Sequence, residues 1–462
     1  MVKDLRSVAI IGAGASGTAA AAAFKAEQYF KKITVFERRG TPGGTWLYDA
    51  APSTPPPIQP GALPPKVDLP LEIPDKLPQT VPNNEQERFQ STPIYDSLTT
   101  TVPEIAMSFS DKRFPYGPFV SHETPREYLQ NYYLLHRMED LLVLNTTVED
   151  ISKISTESGR DRWRLTLRKH NMDQYVDEWW QEVFDAVIIA NGQFSIPYVP
   201  EVKGLSQYIA KYPRRVMHSK YYRQPHPFND KKILIVGNAL SGRDIANELL
   251  KVARLPVYVS RRHKSIWEGP EPKPGIEWRP VIRGYMAERG HIMFEDDSSL
   301  EDVDQVIYCT GYKPSFPFWN IQANGGHLYN YDKEKLNGSF LHTFFRDHPT
   351  LGIIGFGQTL AFRSYEYQAI ALARVFSGRN ALPLPTTLEQ EDWERSWEEH
   401  TKEQGIDFHT VSFENGDLLR WYDELSNIAG LPICGKGRVP PAFTDETMRH
   451  LENILGPVSP HE

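Results

Sequence analysis

The chain has 462 residues, 40% of them hydrophobic and 24% charged, with a formal net charge of -8. That length admits two or three domains with large cores, and the acidic balance excludes a polyanion such as nucleic acid as the main partner, which would need a basic footprint. Its two cysteines, Cys309 and Cys434, form neither a C-x-x-C pair nor a zinc spacing, which excludes a dithiol redox centre and a structural zinc; no metal is expected, and so few thiols suit a reducing compartment.

The first apolar run, Val8-Ala9-Ile10-Ile11, begins close to Met1, which leaves no room for a secretory leader. No uninterrupted apolar stretch of about 18 residues follows, so a cytoplasmic chain with no membrane contact is expected. The run leads into Gly12-Ala13-Gly14-Ala15-Ser16-Gly17 and an alanine-rich helix from Ser16 to about Ala26. Alanine favours the helix and lets it approach a sheet closely. A strand, tight turn and helix start of this kind aim free backbone N–H groups at a pyrophosphate. The next strand, Ile33-Thr34-Val35-Phe36, ends at Glu37, 25 residues after Gly12. A carboxylate there accepts hydrogen bonds from a ribose 2′-OH and repels a 2′-phosphate, so this site is expected to hold FAD or NAD and not NADP. Arg38 follows, and Gly43-Gly44-Thr45-Trp46 offers a turn where backbone can approach a flat ring or a phosphate.

Residues 51–82 carry eleven prolines in 32 positions. That composition forbids a helix or an inner strand and reads as a surface insertion of extended polyproline character. From 141 to 190 the chain reads as several strands, the last being Val187-Ile188-Ile189-Ala190 before Asn191-Gly192.

A second strand–turn–helix–strand unit spans 232–260. Ile233-Leu234-Ile235-Val236 leads into Gly237-Asn238-Ala239-Leu240-Ser241-Gly242, and Val257-Tyr258-Val259 follows. Ala239 stands where the middle glycine is usual; one methyl narrows the approach without abolishing it. Ser260-Arg261-Arg262 closes the strand, with Arg261 placed 24 residues past Gly237. The position matched to Glu37 is therefore basic. Guanidinium groups grip a 2′-phosphate in bidentate fashion, so NADPH is expected here, with His263 and Lys264 extending the positive patch. Val306-Ile307-Tyr308-Cys309 is a further buried strand before Thr310-Gly311. The last hundred residues read as mostly helical, and the acidic Leu388–His400 stretch as a solvated helix with its Trp residues turned inward. The fold class is α/β with two Rossmann-like dinucleotide-binding domains, and two dinucleotides imply electron transfer between them.

Several motifs in one order carry a resemblance. They are the first turn with Phe36-Glu37-Arg38, Gly43-Gly44-Thr45-Trp46, Tyr95 to Pro103, Ala190-Asn191-Gly192 with Pro197 and Pro200, Cys309-Thr310-Gly311-Tyr312, and Glu366-Tyr367-Gln368-Ala369. With these the chain resembles the flavin-containing monooxygenases in their short fungal form, over nearly its whole length except the proline-rich segment. The resemblance implies an FAD domain in two pieces, 1–204 and 326–462, with an NADPH domain, 205–325, inserted between them. It implies FAD contacts at Gly12, Gly14, Ala15, Ser16, Gly17, Glu37, Arg38, Gly44, Thr45 and Trp46, with Val148 at the adenine and Gln368 at the flavin end. It implies NADPH contacts at Ser219, Gly237, Asn238, Ala239, Ser241, Gly242, Ser260, Arg261, Arg262, Thr310 and Gly311.

Two departures stand out. The family fingerprint F-x-G-x-x-x-H-x-x-x-Y/F runs here from Tyr212 to Tyr222, with Tyr212 and Arg214 replacing Phe and Gly. His218 fits it and reads as a structural residue near the domain hinge. Tyr222 stands where Baeyer–Villiger enzymes usually carry Trp, which favours the heteroatom-oxidising branch. Thr101 replaces the usual Asn of a Thr-Asn-x-Pro segment beside the flavin, and is the candidate catalytic neighbour of the oxygen adduct. By the same resemblance NADPH reduces FAD, O2 adds to form a C4a-hydroperoxide, and a soft nucleophile takes its distal oxygen. The expected substrate is a small amine, indole, thioether or thiol, and no side-chain nucleophile or acid is required. A Baeyer–Villiger enzyme, an uncoupled NADPH oxidase and a non-catalytic scaffold stay open, as does a homodimer.

Overall fold

The computed structural model describes residues 4–84, 89–155, 161–171, 173–264, 269–357 and 362–455. In chain order, its two large sheets and the helices that serve them are β1 (Ser7–Ile11), α1 (Ala15–Ala26), β2 (Lys32–Phe36), β3 (Leu142–Val143), β4 (Ala186–Ile189), β5 (Val216–His218), β6 (Lys232–Val236), α2 (Leu240–Leu249), β7 (Arg254–Ser260), β8 (Ile276–Arg279), β9 (Gln305–Tyr308), β10 (Ser339–Phe340), β11 (Phe344–Phe345), β12 (Leu351–Ile353), α3 (Phe362–Ser377) and α4 (Thr387–Gln404). The first sheet has the order β10-β11-β12-β4-β1-β2-β3, and the second β5-β9-β6-β7-β8. From β12 to β3 the first sheet is parallel, and the second is parallel throughout. This is a mixed α/β fold with two Rossmann-like sheets.

Parallel strands buried on both faces need continuous apolar runs. β4 and β9 are buried along their whole length. β1 and β6 are their counterparts at the switch points: β1 lies between β4 and β2, and β6 between β9 and β7. In open parallel sheets ligands collect at the carboxyl ends of such strands. Both glycine-rich turns sit there. Ala19, Ala20, Ala21 and Ala23 of α1 are buried, which lets the helix lie close between β1 and α3.

The chain passes from the first sheet to the second after Ala190 and returns after Cys309. The two crossings are tied to each other, since Tyr312 and Lys313 pair antiparallel with Pro197 and Ile196. The Asn191 amide donates to the Ser315 carbonyl at 2.8 Å.

A third, antiparallel sheet is built from Gln79–Pro82, Val176–Phe184, Asp161–Asn171 and Thr146–Ser155 in that order. The proline-rich segment thus supplies an edge strand, where a missing N–H is tolerated. The expectation that it holds no helix needs correcting. Pro64–Val67 forms one helical turn, with prolines in its first positions, where no intrahelical N–H is called for. The segment is also no mere surface appendage. Leu71 is buried, Gly61 N–H donates to the Val199 carbonyl at 2.8 Å, and the Asp68 carboxylate accepts from Ser315 Oγ at 2.7 Å.

Helix α4 covers the acidic stretch. It opens on a capping box between Thr386 and Glu389, and Trp393 and Trp397 stack and pack on the main core. Among the described residues no helix is long and apolar enough to cross a membrane.

Candidate functional site

The two turns repeat one piece of geometry. Gly12 (φ +102) donates to the Phe36 carbonyl at 2.8 Å, and Gly237 (φ +104) to the Ser260 carbonyl at 2.9 Å. Each passes so close beneath the neighbouring strand end that an added Cβ would lie 2.6 Å from a carbonyl oxygen, Ala190 O in one case and Cys309 O in the other. Gly17 and Gly242 press their helices onto the turns: a Cβ there would meet Gly12 O at 1.8 Å and Gly237 O at 2.0 Å. The position before each helix, Gly14 (φ -76, ψ -167) or Ala239 (φ -74, ψ -168), has one backbone conformation. Neither helix has a side-chain cap at that end, so the first-turn N–H groups are left to a ligand or water.

The strand ends differ as their sequences do. The Glu37 carboxylate is buried and accepts from Ala13 N–H at 2.8 Å and Arg39 N–H at 2.9 Å. At the other end, Arg261 N–H donates to the Arg279 carbonyl at 3.0 Å. Its guanidinium carbon lies 3.5 Å from the centre of the Trp278 ring.

Both turns open on one cavity of about 2550 Å³. Of the residues expected at the first site, Gly12, Gly14, Ala15, Ser16, Glu37, Arg38, Gly44, Thr45, Trp46 and Val148 line it. Of those expected at the second, Ser219, Gly237, Asn238, Ala239, Ser241, Ser260, Arg261, Arg262, Thr310 and Gly311 do, with His263 and Lys264 beside them. Gly17 and Gly242 do not; their part is the close packing just described. Two buried polar atoms on this wall, Thr45 Oγ1 and Asn191 Oδ1, have no hydrogen-bond partner. Buried polar atoms are satisfied in nearly all folded proteins. Their orphaning, with the uncapped helices, fits a polar planar group and a pyrophosphate.

Two expectations are not met. Thr101 is exposed and does not line the cavity. Burial alternates along this stretch, with Thr99 and Thr101 exposed and Thr100 buried. Thr100 is the inward one, buried and accepting from Val120 N–H at 3.1 Å. Gln368 is fully buried but does not reach the cavity either. Its amide donates to the His342 carbonyl at 3.0 Å and Thr343 Oγ1 at 2.9 Å, and accepts from Gly355 N–H at 3.0 Å. Gln368 therefore holds Gly355, which does line the cavity.

The crossings carry residues that the sequence pattern did not single out. Lys220 is wholly buried, its Nζ donating to the Phe89 carbonyl at 3.1 Å and to the Ser195 carbonyl. Burial first, then Arg38 and Arg39, pulls its ammonium down to about 7. Arg223 is buried beside it and donates to the carbonyls of Asp49 (2.6 Å), Thr92 (3.0 Å), Lys220 (2.8 Å) and Tyr222 (2.8 Å). These two side chains fasten the backbone at Asp49, Phe89 and Thr92 to the crossings. No apolar period or motif spacing marks them, since what they hold is backbone carbonyl.

His218 is occupied at both nitrogens. Nδ1 accepts from Lys220 N–H at 3.1 Å, so Nε2 carries the proton and donates to the Gly311 carbonyl at 3.0 Å. Burial holds the ring neutral, lowering its pKa to about 3. Cys309, which lines the cavity, has its thiol pushed up to about 12 by burial. Tyr222 donates to the Glu248 carboxylate and stacks on Phe228.

Two dinucleotide turns at two sheet switch points, sharing one cavity, define an oxidoreductase that joins a flavin to a pyridine nucleotide. A family model described as flavin-binding monooxygenase-like matches residues 82–269 and 276–462, and one described as an NAD(P)-binding Rossmann-like domain matches residues 10–60. The chain belongs to the flavin-binding monooxygenase family, whose cofactors are FAD and NADPH. Among similar proteins, "Flavin-containing monooxygenase FMO GS-OX-like 9" of Arabidopsis thaliana is 29% identical over 83% of this chain and 78% of its own. "Flavin-containing monooxygenase ustF2" of Aspergillus flavus is 29% identical over 83% and 85%. Among solved structures, the S-allyl-L-cysteine S-oxygenase of Allium sativum matches with a TM-score of 0.75 at 26% identity, over 97% of this chain and 92% of that one. A cyclohexanone monooxygenase, at 13% identity and a TM-score of 0.59, shares the fold.

Proposed function

We propose that this chain is an NADPH-dependent monooxygenase that places oxygen on a soft nitrogen or sulfur atom of a small molecule. In this reading residues 1–204 and 326–462 hold FAD on the Gly12–Gly17 turn, and residues 205–325 hold NADPH on the Gly237–Gly242 turn. The observation that carries it is the pair of turns facing one cavity with a carboxylate at one strand end and two guanidinium groups at the other. Glu37, fixed by two backbone N–H groups, accepts the FAD ribose hydroxyls; Arg261 and Arg262 grip the NADPH 2′-phosphate. Thr45 and Asn191 offer their orphaned oxygens to the flavin. Together the cofactors supply a hydride and the means of activating O2.

The titratable residues at the crossings do not compete for that chemistry. His218 has no nitrogen left for a proton transfer, and the Cys309 thiol stays protonated. The chain's own task is to orient, to shield from water, and to keep the crossings together through Lys220 and Arg223. Tyr222 in place of Trp supports heteroatom oxidation over insertion beside a ketone. So does the likeness to an S-oxygenase. The test is to follow NADPH use, peroxide and product with the FAD-loaded enzyme against thioethers, thiols, amines, indoles and a cyclic ketone. Sulfoxide or N-oxide formed in step with NADPH is the expected result. Ester or lactone from the ketone alone, or peroxide equal to NADPH with every compound, overturns it.

A further inference from the structure

Trp278 lies on β8, paired with Val259 of β7. The chain leaves β7 at Ser260, and Arg261 sets its guanidinium carbon over the Trp278 indole, 3.5 Å from the ring centre. Arg261 lines the cavity and Trp278 does not. The indole therefore stands behind the guanidinium, between it and the protein. Trp278 itself packs on the apolar cluster of β6, β7 and α2 that includes Ile235, Ile245 and Val257. It is a supported platform and not a loose neighbour.

An arginine left to itself gives up considerable side-chain freedom when it is ordered around a ligand. A flat apolar ring that already holds the guanidinium plane removes part of that loss before the ligand arrives. Stacking engages the face of the guanidinium, whereas recognition of a phosphate uses the N–H groups in its plane. The two contacts are compatible on one side chain. The first turn has no such device: Glu37 is fixed by backbone N–H groups, a rigid arrangement that needs no side-chain support.

We infer that Trp278 is a positioning residue that sets the preference for NADPH over NADH by holding Arg261 against the 2′-phosphate. The inference rests on the proposed NADPH reading of the Gly237–Gly242 side. Trp278 does not line the cavity, so its effect is expected only at the group that distinguishes the two nucleotides.

The test uses the FAD-loaded enzyme, calorimetric titration with NADP⁺ and with NAD⁺, and KM for NADPH and NADH. Trp278→Leu is expected to weaken NADP⁺ about fivefold, the size of a cation–π contact. NAD⁺ affinity, flavin content and kcat at saturating NADPH are expected to stay at wild-type values, and Trp278→Phe to restore most of the loss. Equal weakening of both nucleotides, or none for NADP⁺, overturns the inference. Should the Leu chain lose its flavin, Trp278→Met repeats the measurement with more of the apolar bulk retained. Arg261→Ala separates the two levels. If it leaves the NADP⁺/NAD⁺ ratio unchanged, the NADPH reading itself fails. If it collapses the ratio while Trp278→Leu does not, only the role of Trp278 falls.

Discussion

The two glycine-rich turns share a backbone and differ in what surrounds it. Their first glycines have φ of +102 and +104 and pass under a strand-end carbonyl at the same distance, and their last glycines, Gly17 and Gly242, are pressed onto the first. Positive φ and a strand-end carbonyl hold the first position to glycine, and the carbonyl of that first residue holds the last. The middle position is different. Gly14 and Ala239 have nearly the same dihedral angles, in the extended region that any residue adopts. What favours glycine at 14 is a second segment: a Cβ there would lie 3.3 Å from Gly44 Cα, and one on Gly44 would lie 2.7 Å from Gly14 Cα. The second turn adopts the same conformation with a methyl at that position, in Ala239. At the first turn the middle glycine thus answers to a neighbouring loop.

The largest expected effects test the equivalence of the turns. Gly12→Ala puts a methyl 2.6 Å from Ala190 O at a positive φ, and is expected to yield protein with no bound flavin. Gly237→Ala makes the same clash with Cys309 O, yet is expected to retain FAD and to lose NADPH-driven flavin bleaching. Flavin content and anaerobic bleaching measure both. A Gly237→Ala chain without flavin would break the assignment of the two sites. Next in size is the contrast of charge. Arg261→Ala with Arg262→Ala is expected to lower the NADPH/NADH ratio of kcat/KM by roughly 30-fold, the worth of about 2 kcal/mol of charged hydrogen bonding, without altering flavin content.

A smaller effect separates the crossings. The first, at Asn191, is held by an amide, and the second, at Gly311, by His218. The folded His218 stays neutral down to about 3, whereas the unfolded ring takes a proton near 6.5. Between those values the unfolded state binds the extra proton, so this contribution is whole above about 6.5 and is lost as pH falls, at about 1.4 kcal/mol per pH unit. His342 and His409, also lowered by burial, act in the same direction. His218→Gln is expected to flatten the fall of unfolding free energy between pH 6 and about 4 by one proton's worth. An unchanged slope, from denaturant unfolding at each pH, would show that His218 titrates normally.

Much of this was legible in the sequence because it is local. Each turn is one strand, six residues and a helix start, and Glu37 and Arg261 stand at fixed offsets from Gly12 and Gly237. Apolar runs marked the strands at the switch points. What could not be read depends on contacts distant in the chain. Gln368 was placed by motif at the flavin, but Gly355, His342 and Thr343 use up its amide. The family segment points to Thr101 at the position of an Asn, but Thr101 is exposed and it is Thr100 that is buried and held by Val120 N–H. The proline-rich segment was read by composition as surface. Asp68 and Gly61 nonetheless dock it onto the returning crossing and Val199, and Lys220 and Arg223 hold the chain around it through carbonyls that no side-chain pattern announces.

The smallest expected effect bears most directly on the middle position. If Gly14 is glycine only because Gly44 lies against it, Gly14→Ala must push that loop by a few tenths of an ångström, and the loop carries Thr45 and Trp46 onto the cavity wall. The expected result is weaker FAD retention on dialysis, at little cost in unfolding free energy. Ala239→Gly removes a methyl and adds no contact. It should leave NADP⁺ affinity at the wild-type value and lower stability by no more than about 1 kcal/mol, the entropic cost of a glycine. If Ala239→Gly instead tightened NADP⁺ severalfold, the methyl would be crowding the pyrophosphate, and the middle glycine would belong to the ligand after all. If Gly14→Ala kept its flavin as tightly as wild type, the contact with Gly44 would be incidental, and the difference between the turns would reduce to the charge at their strand ends.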